Sequence, residues 1–158
     1  KYIRIFIALK NVHKMKKCII SQWINNEAIL KKQVEELEQL GIAHFYGFQS
    51  DPRPFYAEAD CVVLPSYHEG MSNVLLEAAA TGRPVITSNI PGCRESVENG
   101  KSGLLVEAKN KEMLYQAMKK MLHCSREERE KMGKAGREKM KREFRKEAVV
   151  ERTVRSLE

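Results

Sequence analysis

Two glutamates, Glu69 and Glu77, bracket the start of a helical pattern in the stretch ADCVVLPSYHEGMSNVLLEAAATG. A strand-like apolar run ends at Pro65, the polar loop SYHEG follows, and helical spacing begins near Ser72. That order aims the N–H groups of Asn73, Val74 and Leu75 at whatever lies beyond the strand. A helix N-terminus preceded by a flexible residue is a ready anion site, with phosphate its usual guest. Gly70, lacking a side chain, lets the backbone come close to a ligand. Carboxylates are poor phosphate ligands but good acceptors for vicinal hydroxyls, such as those of a ribose or a hexose. The chemistry expected is therefore a phosphate on the helix and a polyol at each acid. Spacing alone leaves open the alternative that Glu77 is merely solvated.

The elements that would hold these residues can be read from periodicity. Short β-branched or aromatic runs bounded by Gly, Pro, Asp or Ser predict strands at CIIS (18–21), AHFYGF (43–48), CVVLP (61–65), PVITS (84–88) and GLLVE (103–107). Between them lie helical patterns. AILKKQVEELEQLG sets Ile29, Gln33, Val34, Leu37 and Leu40 on one face and stops at Gly41, a plausible C-cap. SNVLLEAAATG starts at Ser72, a favourable N-cap, and ends at Gly82; KEMLYQAMKKML puts Met113, Leu114, Ala117, Met118 and Met121 on one stripe. Strands alternating with helices imply an α/β, doubly wound parallel sheet covered on both faces. Ligands of such sheets bind beyond the carboxyl ends of the strands. The domain is expected to span residues 1–124, with a C-terminal helical extension over 125–158. The N-terminus is ambiguous: Ile3, Ile5, Ile7 and Leu9 alternate as in a strand, while Ile3, Phe6, Ile7 and the run to Val12 also fit a helix.

The chain has 158 residues, enough for one domain with a core, and a formal charge of +7. No secretory leader is visible, and no apolar run approaches the roughly 18 residues that span a bilayer. The chain reads as soluble, or as a soluble piece of something larger. Its basic charge, concentrated in Lys14–Lys17 and from Arg126 to Arg155, is compatible with a solvated helix face carrying i,i+4 pairs or with a surface that approaches acidic membrane. No aromatic-interleaved basic motif supports nucleic-acid binding. Cys18, Cys61, Cys93 and Cys124 have no metal-ligand spacing and read as reduced thiols, so no metal site is expected.

Several segments share an order and spacing: GFQSDPRPFYAEADCVVLPSYHEG, the Glu-x7-Glu pair Glu69 and Glu77, LLEAAATGRPVI, and PGCRE followed by NGKSGLLV. On these, Asp51 to Ala108 resembles the C-terminal domain of family 4 (group 1) retaining glycosyltransferases of the GT-B fold. Weaker similarity reaches from the N-terminus through REEREKMGKAGREKMKREF. The resemblance implies a nucleoside-diphosphate-sugar donor, with a UDP-sugar expected, bound without cofactor or metal. It further implies that a separate N-terminal domain, missing from this chain, holds a glycan or lipid-linked acceptor. By the same resemblance Glu69 meets the donor-sugar hydroxyls as the catalytic-site acid and Glu77 binds the ribose. Backbone amides of Gly70, Met71, Ser72, Asn73 and Val74 meet sugar and diphosphate, and the strand end Tyr46, Gly47 and Phe48 lies where the family places the base. The donor phosphate itself would handle the acceptor proton, with retention at the anomeric carbon.

The family draws an Arg and a Lys from a first strand and loop that would precede Lys1, so that strand is expected to be missing. By alignment, Lys1–Lys14 resembles the family's first helix, and the central place of a 3-2-1-4-5-6 sheet stands vacant unless Ile3–Leu9 fills it. Gln22 and Trp23 stand where the family tends to have Gly. The role expected is sugar transfer in cell-envelope or capsular polysaccharide assembly, in the cytoplasm or at the inner face of the plasma membrane, with the isolated piece inactive. The alternatives are a non-catalytic nucleotide-sugar-binding module and a basic nucleic-acid-interaction domain.

Other residues carry weaker readings. His68 is a loop histidine near the ligand or a catalytic group, and Glu95 caps a short helix or lines the cleft. His13, His44 and His123 lack partners at ligand spacing, and the methionines read as core or interface filler. No G-x-G-x-x-G, Walker loop, Ser-His-Asp set or HExxH is present.

Overall fold

The computed structural model describes residues 3–12, 15–24, 35, 37–41 and 43–155. The N-terminal ambiguity resolves as strand. β1 (Ile3–Val12) and β2 (Met15–Ile24) form an antiparallel hairpin, paired from Ile3↔Ile24 to Val12↔Met15. β3 (Ala43–Gly47) pairs antiparallel with β1, while β2 pairs in parallel with β4 (Cys61–Leu64), followed by β5 (Val85–Ser88) and β6 (Gly103–Val106). The order is β3-β1-β2-β4-β5-β6. Five strands therefore run one way and β1 runs against them.

Two expectations do not hold. Residues 3–12 are not a first helix, and among the described residues the sheet has no central vacancy. β2 lies directly beside β4, in register Cys18↔Cys61, and β1 lies on its far side rather than in between. A hairpin needs no crossover, so two neighbouring ten-residue strands complete the sheet in the antiparallel sense. Gln22 and Trp23 fall inside β2 instead of following it.

The helices are α1 (Arg53–Glu58), α2 (Asn73–Ala80), α3 (Lys111–His123), α4 (Arg126–Glu143) and α5 (Lys146–Arg155), with one 3₁₀ turn at Arg94–Ser96. β4 is buried along its whole length, and its side chains alternate between two cores. Val62 and Leu64 join Tyr56 of α1 and Val74, Leu75 and Ala78 of α2, whereas Cys61 and Val63 join Ile86, Val106 and Met121 of α3. This is the doubly wound α/β arrangement.

Of the helix expected before Gly41, residues 35 and 37–39 are helical, and Ile29, Gln33 and Val34 lie outside the described residues. Gly41 ends it at φ +68°, its N–H donating to the Glu38 carbonyl. Leu37 and Leu40 are exposed rather than core-facing, and Met113 is likewise exposed while Met121 is buried. The charged tail also departs from a purely solvated face. α4 lies on α2, and an added Cβ at Gly133 would fall 1.9 Å from the Gly82 carbonyl oxygen. Side-chain-free positions on α4 are what permit that approach.

Candidate functional site

β3, β4, β5 and β6 point the same way, so Gly47, the 65–72 loop and the turn at 89–93 emerge at one end of the sheet. The two loops are stitched together. Gly92 adopts φ +84°, and a Cβ there would sit 1.6 Å from the Gly70 carbonyl oxygen and 2.7 Å from that of Glu69. The Gly92 carbonyl accepts from the Ser72 N–H at 3.0 Å, and the Gly92 N–H donates to Glu95 Oε2 at 2.8 Å. Glu95, of the two readings the sequence allowed, is thus tied to the turn. Below them the Thr87 hydroxyl donates to the Leu64 carbonyl at 2.9 Å.

Ser72 occupies the N-cap position of α2, yet its side chain makes no capping bond. Its carbonyl accepts from the Leu75 N–H, so one of the three amides expected to be open is engaged. Among the described residues the Asn73 and Val74 N–H groups have no partner. Both residues stand on the first turn of α2, where the backbone carries partial positive charge.

Glu69 Oε1 is buried and makes no hydrogen bond among the described residues. Its carboxylate lies close enough to the buried Cys93 to act on it. Burial first, and then the charges of Glu69 and Glu95, push the Cys93 thiol above its ordinary range, against a lowering hydrogen bond with Thr87. Gly70 and Met71 are exposed between Glu69 and the helix. His68 is exposed, and its carbonyl accepts from the Ser66 hydroxyl.

Glu77, one turn into α2, is half-buried, and its Oε2 accepts from the Tyr56 hydroxyl at 3.1 Å. It lines a hollow of about 450 Å³ with Leu76, Arg137, Lys141 and Arg145, among others; Glu69 is not part of that lining. Gly47 closes β3 at φ +63°, buried, with Phe48 beyond it 63% exposed. They lie three strands from β4, and α1 bridges part of that span: Phe55 stacks edge-on against Tyr46 with ring centroids 4.7 Å apart. Tyr56 was not singled out in the sequence. Gly92 was also missed, and the Pro-Gly dipeptide at 91–92 was its signal.

The other histidines are placed too. His44 Nδ1 lies 3.3 Å from Glu38 Oε1, and His123 Nδ1 lies 2.9 Å from the Lys119 carbonyl. Among the described residues no group of three or more His, Cys, Asp or Glu is gathered in metal-holding geometry, and no helix is long and apolar enough to cross a membrane.

Known proteins share this arrangement. The chain is 31% identical over 122 residues to the lipopolysaccharide core biosynthesis glycosyltransferase LpsE of Rhizobium meliloti, covering 77% of this chain and 36% of that protein. Sucrose-phosphate synthase from Thermosynechococcus elongatus superposes with a TM-score of 0.70 at 30% identity, over 81% of this chain and 33% of that one. Anabaena HepE, solved in complex with UDP, superposes with a TM-score of 0.71 over 82% of this chain and 35% of its own, and at 22% identity it speaks for the fold. The chain spans about a third of the length of these proteins. The family model described as glycosyl transferases group 1 matches residues 3–139, and the chain belongs to that family.

Proposed function

We propose that this chain is the donor-binding domain of a retaining glycosyltransferase that moves a sugar from a nucleoside-diphosphate sugar, a UDP-sugar first among candidates, to a glycan or lipid-linked acceptor in cell-envelope or capsular polysaccharide assembly. One observation carries the reading: Glu69 Oε1, in the loop that leads into α2, is buried with no hydrogen-bond partner among the described residues. A buried unsatisfied carboxylate oxygen costs more than a made hydrogen bond returns, and a ligand that donates to it would recover that cost. Hydroxyls of a donor sugar would supply the missing donors.

The Asn73 and Val74 amides would then face the diphosphate. As the glycosidic bond breaks, the leaving diphosphate gains charge, and fixed N–H dipoles stabilise that state more than the ground state. Glu77 would take the ribose diol, and Gly47 and Phe48 the base. Gly70 and Met71 leave backbone open to the sugar. The donor phosphate would receive the acceptor proton, with no metal or cofactor required of this domain. UDP accompanies the same fold in HepE, which recommends it as the first nucleotide to test. The acceptor would come from a separate N-terminal domain, and the basic helical tail suits work at the cytoplasmic face of a membrane.

The test is calorimetric titration of UDP and UDP-sugars into wild type, Glu77→Ala and Glu69→Ala. A charged hydrogen bond is worth about 1.5–3 kcal/mol, so Glu77→Ala should weaken UDP about tenfold or more. Glu69→Ala should leave UDP affinity in place and remove the preference for a UDP-sugar over UDP. Unchanged UDP affinity in Glu77→Ala overturns the assignment, and tight, salt-sensitive oligonucleotide binding would favour the nucleic-acid alternative.

A further inference from the structure

We infer that Tyr56 is a positioning residue for Glu77, fixing the carboxylate that takes the nucleotide's ribose; this rests on the role proposed above for Glu77. Tyr56 is fully buried on α1, 21 residues before Glu77, and its hydroxyl donates to Glu77 Oε2 at 3.1 Å. That is the one hydrogen bond made by the Glu77 side chain among the described residues. A carboxylate has two oxygens and about four acceptor sites. The phenol engages one oxygen and leaves the other to accept from a ligand.

The surroundings show what the phenol holds off. Arg137, Lys141 and Arg145 line the same hollow as Glu77, yet none of them forms an ion pair with it among the described residues. Coulomb attraction draws a free carboxylate toward such cations, and a glutamate turned onto a guanidinium is lost to a diol. The Tyr56 ring cannot follow, because it is fully buried in the core that also holds Val74, Leu75 and Ala78 of α2. Its hydroxyl is thus a fixed point. Glutamate has three rotatable bonds, and freezing them before the ligand arrives removes an entropy cost that binding would otherwise bear. Next to it on α1, Phe55 rests on Tyr46, whose neighbour Gly47 ends β3. One short helix therefore ties the strand end assigned to the base to the acid assigned to the ribose.

Tyr56→Phe keeps the ring and its packing and deletes only the hydroxyl. Titrating UDP and 2′,3′-dideoxy-UDP into this variant separates positioning from general damage. UDP should bind about 5- to 30-fold more weakly, the range expected from releasing one glutamate side chain. The dideoxy nucleotide offers no diol, so its affinity should match that of wild type within about twofold. An equal loss for both nucleotides, or no loss for UDP, overturns the inference. Glu77→Ala with the same two ligands keeps the failures apart. If Glu77→Ala spares UDP, the role of Glu77 falls; if Glu77→Ala weakens UDP and Tyr56→Phe does not, only Tyr56 falls.

Discussion

Gly92→Ala tests the contact that joins the two loops of the site. The substitution meets two obstacles of different kinds. The first is local: at φ +84° an L side chain crowds its own backbone, at a cost of roughly 1–2 kcal/mol. The second is the neighbour, since the new methyl would lie 1.6 Å from the Gly70 carbonyl oxygen. That obstacle is backbone, so it cannot rotate aside, and the 65–72 loop must move as a unit. Overpacking of this sort costs roughly 1–3 kcal/mol. The movement also stretches the Ser72 N–H bond to the Gly92 carbonyl, worth about 1 kcal/mol. Against these stands the lower entropy of an unfolded chain with Ala in place of Gly, roughly 0.4–1 kcal/mol. The net loss is about 3–5 kcal/mol, a large part of the ~5–15 kcal/mol that holds a domain together. Gly100→Ala is the internal control, because Gly100 has φ +77° but nothing within 4 Å of where a methyl would sit. It should bear only the local cost less the same entropy offset, a net loss of about 0–1.5 kcal/mol. Urea unfolding followed by circular dichroism measures both, and the melting temperature of Gly92→Ala should fall by about 6–20 °C. Equal losses in the two variants would refute the idea that close approach to Gly70 shapes this site.

Two further outcomes are expected. Gly133→Ala and Gly136→Ala, three residues apart on α4, should have opposite signs. The first drives a methyl to 1.9 Å from the Gly82 carbonyl oxygen and should destabilise by about 1–2 kcal/mol, whereas the second meets only ordinary contacts at 3.6–3.8 Å and should gain about 0.5–1 kcal/mol from helix propensity; denaturant midpoints decide, and like signs would mean α4 is not packed as described. Lys101 first, then Arg142, holds the Glu98 carboxyl below its ordinary 4.5, so its stabilisation is present above that value and is lost as pH falls through the lower folded-state pKa. Thermal melts should therefore show Glu98→Gln less stable than wild type by under about 1 kcal/mol near neutrality, with the gap closing in acid.

The strands were legible in the sequence because short β-branched runs between turn residues have few alternatives; β4, β5 and β6 each fall within the ranges expected. Strand direction was not legible. Ile3, Ile5, Ile7 and Leu9 alternate identically whether the neighbour is parallel or antiparallel, and pairing decided the matter. The helix start at Ser72 was legible because an N-cap serine before a helical run stands out, and Glu69 and Glu77 were singled out by their places about it and by the family resemblance. Tyr56 and Gly92 were not, since one acts across 21 residues from inside the core and the other acts through the room its missing side chain leaves. The interior face of α4 was hidden for a similar reason: Arg129 and Lys139 read as solvent-facing, yet they are 5% and 9% exposed, with Gly133 and Gly136 buried between them.

The helix starts of this chain differ among themselves. At α4, the Ser125 hydroxyl accepts from the Glu128 N–H while the Glu128 carboxylate accepts from the Ser125 N–H, a full capping box. At α3, the Asn110 side chain accepts from the Met113 N–H. α2 also has a serine at its N-cap, but Leu75 stands where a capping box needs an acid, and the Ser72 side chain makes no capping bond. Capping is worth about 1 kcal/mol, which α2 forgoes. The segment is held instead by its stitch to the neighbouring turn: the Gly92 carbonyl takes the Ser72 N–H, and Gly92 approaches the carbonyls of Glu69 and Gly70 closely. Among the described residues, Glu69 Oε1 and the Asn73 and Val74 N–H groups, all within five residues of chain, remain without hydrogen-bond partners. The tie between the loops supplies rigidity that the missing cap does not, and leaves the polar groups for a ligand carrying both an anionic and a hydroxylated part.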